Sequence, residues 1–219
     1  MELKDVIGKR QSVRHFKEGD IPKEDILEML EAARLAPSGK NLQNWHYIVI
    51  KNKGLQNRIA EAICQKNEEI CLRMDAMDKA KGDRFRKFAR NFTVFFTKAP
   101  VLIVVMTETY HPSGWHELEF IGAPEETLRG LDEKGSPGNQ SLGASIENLY
   151  LRAVDMGYGM CWLTSANYAS EEIEKIVKQE VGFEKEGYYM GCLLTLGIPE
   201  GGPRSPQKKS IDDIYTYVE

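Results

Sequence analysis

The sequence predicts one domain of mixed helix and sheet, on three observations. Stretches with apolar residues at three- and four-residue spacing alternate with near-continuous apolar runs of strand length. Two of those runs, residues 100–107 and 190–196, lack the polar alternation of a half-exposed strand, as befits strands covered on both faces. The 219 residues, with 42% hydrophobic and 28% charged content, are ordinary for a globular chain, and no internal repeat divides them. At that size about 70% of the unfolded surface leaves water on folding, so neither disulfides nor metals are needed as staples.

Pro22 fits the first turn of a helix capped by Asp20, with Ile26, Leu27, Leu30 and Ala33 on one face, and this helix must stop before Pro37. Residues 36–41 then form a loop in which Gly39 permits positive φ, and a strand follows at 46–50. From 55 to about 97 the pattern is helical, bent near Gly82, with Phe85, Phe88, Phe92 and Phe95 on a stripe that belongs to the core or to a dimer interface. Residues 110–138 hold three prolines and five glycines without periodicity and read as a long loop or lid. A helix at 142–156 is ended by Gly157, and a short strand at 160–163 follows. Residues 203–219 read as a C-terminal arm, with Ile211, Ile214, Tyr215 and Val218 forming a last helix or docking on a neighbour.

Composition and missing motifs narrow the function. Lys+Arg 29 against Asp+Glu 33 leaves a net charge of −4, a field that does not favour nucleic acid. Cys64, Cys71, Cys161 and Cys192 form no C-x-x-C pair, so they read as reduced thiols, and no metal site is expected. The charged N-terminus, and apolar runs far shorter than the ~20 residues of a spanning helix, point to a cytoplasmic protein away from membranes. No G-x-x-x-x-G-K-S/T, G-x-G-x-x-G or G-x-S-x-G occurs, which disfavours a nucleotide loop, a Rossmann dehydrogenase and the hydrolase elbow. His111 and His116 have the spacing of a polar loop rather than of a zinc-binding helix. The six cations within residues 79–90 fit a solvated helix face, or attraction of an anionic substrate or a nicotinamide phosphate.

Three separated segments can hold one phosphorylated, planar ligand. Arg10, Ser12 and Arg14 have period-two spacing, so an extended stretch turns all three side chains to one face. There they offer planar forks and a hydroxyl to phosphate oxygens, or form a surface salt-bridge strip. The loop carrying Pro37, Ser38, Gly39, Asn41, Gln43 and Asn44 places small and amide side chains between a helix and a buried strand, a usual location for sites. Lys208 and Lys209 add a late cationic pair.

The stretches RQSVR (10–14), PSGKNLQNW (37–45), GYGMCWLT (157–164), LGIP (196–199) and KKSI (208–211) together resemble the nitroreductase superfamily of FMN-dependent oxidoreductases, in order and spacing over nearly the whole chain. The resemblance implies an α+β fold, a mixed and mostly antiparallel sheet flanked by helices, assembled as an intertwined homodimer with FMN at the subunit interface. It assigns Arg10, Ser12, Arg14 and the main chain of Gln11 to the FMN phosphate and ribityl chain, with Lys208 and Lys209 as late cations. It sets Pro37, Ser38, Gly39 and Asn41 beside the isoalloxazine, from the partner subunit. Trp162, Leu163 and Thr164 match the strand end at the flavin face, where a Thr164 hydroxyl at N5 tunes one- against two-electron chemistry. Residues 68–100 further resemble iodotyrosine deiodinases. The glutamate, tyrosine and lysine that clamp the substrate there fall on Glu68, Leu72 and Thr93 here, so Glu68 and Leu72 are substrate-binding candidates in a clamp that has lost two polar partners.

The resulting reading is an FMN-dependent oxidoreductase that takes electrons from NADH or NADPH and passes them to small electron-poor aromatics such as nitro compounds or quinones. Its rivals are a flavin-dependent reductive dehalogenase of halophenols or halotyrosines, and a flavin-binding protein without turnover. No ribose-reading residue of a Rossmann site is present to choose between the two nicotinamides.

Overall fold

The computed structural model describes residues 1–202 and 205–219; Pro203 and Arg204, where the expected C-terminal arm begins, lie outside the described residues. The two apolar runs become the middle of the sheet. β3 (Val101–Glu108) and β5 (Tyr188–Pro199) pair antiparallel, with Leu102 opposite Thr195. β2 (Trp45–Ile50) adds antiparallel to β3, and β4 (Gly159–Leu163) and the short β1 (Phe16–Lys17) add antiparallel to β5. An isolated parallel bridge joins Ser12 to Met160. This is the mixed, mostly antiparallel sheet of the α+β class.

Side chains alternate across a strand, so each face of β3 needs its own cover. Val101, Ile103 and Val105 pack with residues of α2 (Lys23–Arg34) and α7 (Pro137–Asp155), among them Met29, Ile146 and Leu149. Leu102 and Val104 pack with residues of α3 (Lys53–Asp75) and α8 (Ser170–Val181), among them Ile59, Ile63 and Ile173. Burial of each such side chain contributes about 1.5–3 kcal/mol.

Several expected boundaries move. The helical stretch breaks between Asp75 and Lys79 rather than at Gly82: the Asp78 side chain accepts from the Lys81 N–H and so starts α4 (Lys79–Phe88) afresh. Gly82 lies inside α4, where a Cβ would sit 2.0 Å from Asp75 Oδ1. A π-turn (Ala89–Thr93) and a 3-10 turn (Val94–Lys98) continue the chain. Of the phenylalanine stripe, Phe95 is core, whereas Phe88 and Phe92 are exposed. Asp20 does not cap α2, whose N-cap is Pro22; its carboxylate is paired instead with Lys51 at 2.5 Å.

Residues 110–138 are not a structureless loop. They contain α5 (Trp115–Phe120) and α6 (Glu125–Lys134), neither of which buries a residue, so there was no apolar stripe to read. Asp132 ties the two together, accepting from Trp115 Nε1 at 3.1 Å and meeting His111 Nδ1 at 3.0 Å. α7 starts at Pro137 rather than at 142, with proline in its first turn. The expected last helix is a single 3-10 turn, Ile211–Asp213. Among the described residues no helix is long and apolar enough to cross a membrane.

Candidate functional site

The site is gathered on α7. Beyond α1 (Leu3–Lys9) the chain straightens, and the Val13 N–H donates to the Met160 carbonyl at 2.7 Å while Ser12 bridges Met160. Gly159 makes this approach possible, since a Cβ there would stand 2.7 Å from Val13 Cγ2. From α7 the Tyr150 hydroxyl donates to the Gln11 carbonyl at 2.5 Å and also faces the Met160 carbonyl. Burial pushes the Tyr150 phenol above its ordinary range, so it stays a donor at any physiological pH. The extended segment forms one wall of a cavity of about 510 Å³ lined by residues 11–15 and 200–202.

Ser12 and Arg14 line that cavity together with Gln11, Val13 and His15, so the lining does not follow the period-two spacing, and Arg10 is absent from it. Arg10 is still the cap residue of α1, so its side chain leaves the alternation. It lies over the Tyr150 ring, 5.3 Å from the centroid, with Nε 3.5 Å from Glu147.

The loop before β2 is held in a costly shape. Lys40, Asn41 and Gln43 have φ of +49°, +56° and +50°, a left-handed region that costs about 1–3 kcal/mol per non-glycine residue. Ser38 Oγ accepts from the Gln43 N–H at 2.9 Å, and the Gly39 N–H donates to Ser141 Oγ of α7 at 3.2 Å. Buried Asn44 anchors the far end: its Nδ2 donates to Thr107 Oγ1 at 3.1 Å, and Thr107 Oγ1 donates to the Asn44 carbonyl at 2.6 Å. The Tyr110 ring closes on Gly39, where a Cβ would meet it at 2.7 Å.

At the end of β4, Trp162 is 37% exposed between buried Cys161 and Leu163, and Thr164 is exposed. The Thr164 carbonyl accepts from the Asn167 N–H at 3.1 Å, and Asn167 Nδ2 donates to the Gly191 carbonyl at 2.8 Å. Gly191 lies where the β3–β5 register slips, so its carbonyl is free of the ladder for this bond. Ser165 Oγ and Asn167 Oδ1 are buried beside Thr164 without a hydrogen-bond partner among the described residues. Buried polar atoms of that kind invite a ligand.

Ser141 and Tyr150 therefore mark two points on one helix, the first under the strained loop and the second under the extended segment of residues 11–15. At nine residues' separation they are about 13 Å apart along its axis. Lys208 and Lys209 are exposed and make no ion pair among the described residues. Pro37 is exposed and ends the helical path of α2. Glu68 is not free: both its oxygens take Arg86 Nε, at 3.1 and 2.8 Å, and this hydrogen bonding holds its carboxyl below the usual range. Leu72 is 61% exposed and Thr93 fully buried. Sequence reasoning missed Tyr150, Gly159, Thr107 and Asn167, whereas Asn44 lies in the loop it singled out. Of these only Gly159, a glycine at a strand start, carried a local signal.

A family model described as "Nitroreductase family" matches residues 7–198. The chain is similar to a BluB-like flavoprotein of Clostridium difficile 630, whose crystal structure superimposes with a TM-score of 0.97 at 53% identity over 100% of both chains. A protein of Archaeoglobus fulgidus named for NADH dehydrogenase and NAD(P)H nitroreductase is 39% identical over 195 residues, 89% of this chain and 84% of that relative. An iodotyrosine deiodinase of Hydra vulgaris is 34% identical over 209 residues, 94% of this chain and 68% of that relative.

Proposed function

The chain belongs to the nitroreductase family, and from that premise we propose that it is an FMN-dependent oxidoreductase that reduces small electron-poor aromatics, nitro compounds or quinones, with NADH or NADPH as donor. The observation that carries the reading is the junction of cradle and strand end. Ser12 bridges Met160, two residues before Trp162, so a phosphate-binding segment and a ring-binding strand end are parts of one hydrogen-bonded unit. The donor set suits FMN: Ser12 and Arg14 face the cavity, and the unpartnered Ser165 and Asn167 atoms offer polar contacts for a ring edge. FMN, when bound, supplies the hydride and electron transfer.

The chain's own residues bind and tune. Gln11, Ser12 and Arg14 hold the phosphate and ribityl chain, with Arg10 alongside and Lys208 and Lys209 reaching in late. Trp162, Leu163 and Thr164 border the ring, and the Thr164 hydroxyl is a hydrogen-bond donor at N5. Pro37, Ser38, Gly39 and Asn41 serve the ring of a second subunit; their separation from the cradle along α7 supports this exchange. Exposed Ile211, Ile214, Tyr215 and Val218 give the tail an apolar side for that homodimer. Glu68 and Leu72 border the acceptor, but Glu68, already bonded to Arg86, is a poor partner for the ammonium of an amino acid. The whole chain acts as one domain, and its free, mostly buried thiols suit the cytoplasm.

The test is a visible spectrum of the purified protein followed by steady-state NAD(P)H oxidation with a nitroaromatic and a quinone. About one FMN per chain and sustained turnover are expected. A colourless protein that does not take up added FMN overturns the reading, and flavin without turnover selects the non-catalytic rival. The deiodinase relative supports reductive dehalogenation as the second enzymatic reading; halide release from a halophenol that outpaces nitro and quinone reduction selects it.

A further inference from the structure

We propose that α5 and α6 of one subunit pack on α4 of the other, so that each flavin site is bordered by a pair of oppositely charged segments from two chains. This contact depends on the proposed exchange of the 38–41 loop between subunits and goes beyond it by naming what covers α4.

Both segments present a face that nothing in the chain covers. On α4, Arg84, Lys87 and Phe88 stand at i, i+3 and i+4, so they share one side of the helix, and all three are exposed. Phe88 stacks between Phe85 and Phe92, at centroid distances of 6.4 and 5.6 Å, and the rings form a ridge running on into the π-turn. On α5, Glu117, Phe120 and the cap residue Ile121 repeat that spacing and that exposure, with Phe120 91% exposed. Arg84, Lys87 and Glu117 make no ion pair among the described residues.

Charge makes the two faces complementary. Residues 79–90 hold six cations and one carboxylate, whereas residues 115–134 hold six carboxylates, two cations and one histidine. Exposed rings bordered by charges of opposite sign match an interface that is apolar at its centre and polar at its rim.

Position makes the partner a second copy. Phe85 meets Tyr168 edge to face at 5.4 Å, four residues beyond Thr164, so α4 stands beside the strand end of its own subunit. α5 and α6 are rooted instead beside the 38–41 loop. Tyr110 closes on Gly39 before α5, and after α6 a Cβ at Gly138 would stand 3.2 Å from Tyr110 Cβ. A loop that borders the ring held by the other subunit therefore carries α5 and α6 toward that subunit's α4. Within one chain no hydrogen bond or ion pair joins α4 to α5 or α6 among the described residues.

The experiment treats the flavin-loaded protein with a carbodiimide, which joins a lysine amine to a carboxylate. Covalent dimer is then separated from monomer in denaturant, and linked peptides are mapped by mass. A link from Lys87 to Glu117 or a neighbouring carboxylate of α5 and α6 is expected in the dimer band and not in the monomer band. Arg84→Glu is expected to lower its yield about fivefold, and adding Glu117→Lys to restore a link between the two segments. Both positions are exposed, so neither change should disturb the fold. The link in the monomer band, no link, or a yield unchanged by Arg84→Glu overturns the proposal. Light scattering and the flavin spectrum, taken first, separate the two possible failures. A monomer or a colourless protein refutes the two-subunit flavin site and this contact with it, whereas a flavin-loaded dimer without the link refutes the contact alone.

Discussion

The Tyr150 hydroxyl donates to the Gln11 carbonyl at 2.5 Å, joining α7 to the start of the extended segment proposed to bind phosphate. At its far end the His15 carbonyl accepts from the Glu200 N–H at 3.0 Å. Its ladder contacts are the Ser12–Met160 bridge and the Val13–Met160 bond, and Ser12, Arg14 and His15 are exposed. Tyr150→Phe keeps the ring under Arg10 but leaves the carbonyl unpaired, at a cost of about 1–2 kcal/mol. The variant is expected to melt at lower temperature and to lose FMN more readily on dialysis. Flavin retention equal to that of the parent protein would show that the hydroxyl does not position the cradle.

Gly159→Ala tests the same junction from β4. The added methyl falls 2.7 Å from Val13 Cγ2 and 3.0 Å from its Cβ, and a branched side chain beside a paired strand has little room to yield. Overpacking of this kind costs about 1–3 kcal/mol. Lowered FMN affinity is expected, partly restored by Val13→Ala in the double variant, and an absence of restoration would place the damage elsewhere.

Arg86 makes the stability of the α3–α4 pair depend on pH. Its hydrogen bonds hold the Glu68 and Asp75 carboxyls below their usual range. A folded-state pKa below the unfolded value of roughly 4 stabilises the native state above that pH, and the contribution is lost as pH falls through the folded values. Arg86→Met is therefore expected to lower the melting temperature at neutral pH. The gap between variant and parent should close in acid and narrow in high salt. A gap that persists unchanged at low pH would trace the effect to packing of the arginine stem instead.

Legibility followed local pattern. The buried runs of β3 and β5 could be read because period and residue type act within a few positions. α5 and α6 could not, since neither buries a side chain and helix propensity without an apolar stripe resembles loop. Arg10 leaves its predicted face because it is the cap of α1, a helix the period-two reading did not include. Tyr150 and Asn167 act across long sequence separations, and the Arg86–Asp75 pair sits where Gly82 leaves room for the Asp75 carboxylate. No single-segment pattern encodes such contacts.

Thr164 offers the cleanest separation of chemistry from folding. Its side chain is exposed, its carbonyl alone anchors it through Asn167, and its hydroxyl makes no hydrogen bond among the described residues. Removing the hydroxyl therefore breaks nothing within the chain, and Thr164→Ala should stay within about 0.5 kcal/mol of the parent in stability. A hydrogen-bond donor near N5 tunes which electron steps a bound flavin favours, so the effect should appear in reactivity instead. The expected outcome is a shift in the ratio of halide release from a halophenol to quinone reduction, with Thr164→Ser close to the parent and Thr164→Ala displaced. Since both reactions draw on the same bound cofactor, a ratio cancels differences in flavin content and donor affinity. An alanine variant with the parent's ratio would mean that the hydroxyl does not reach the ring, and it would move the tuning group to the neighbouring Ser165, whose buried oxygen is likewise unpartnered.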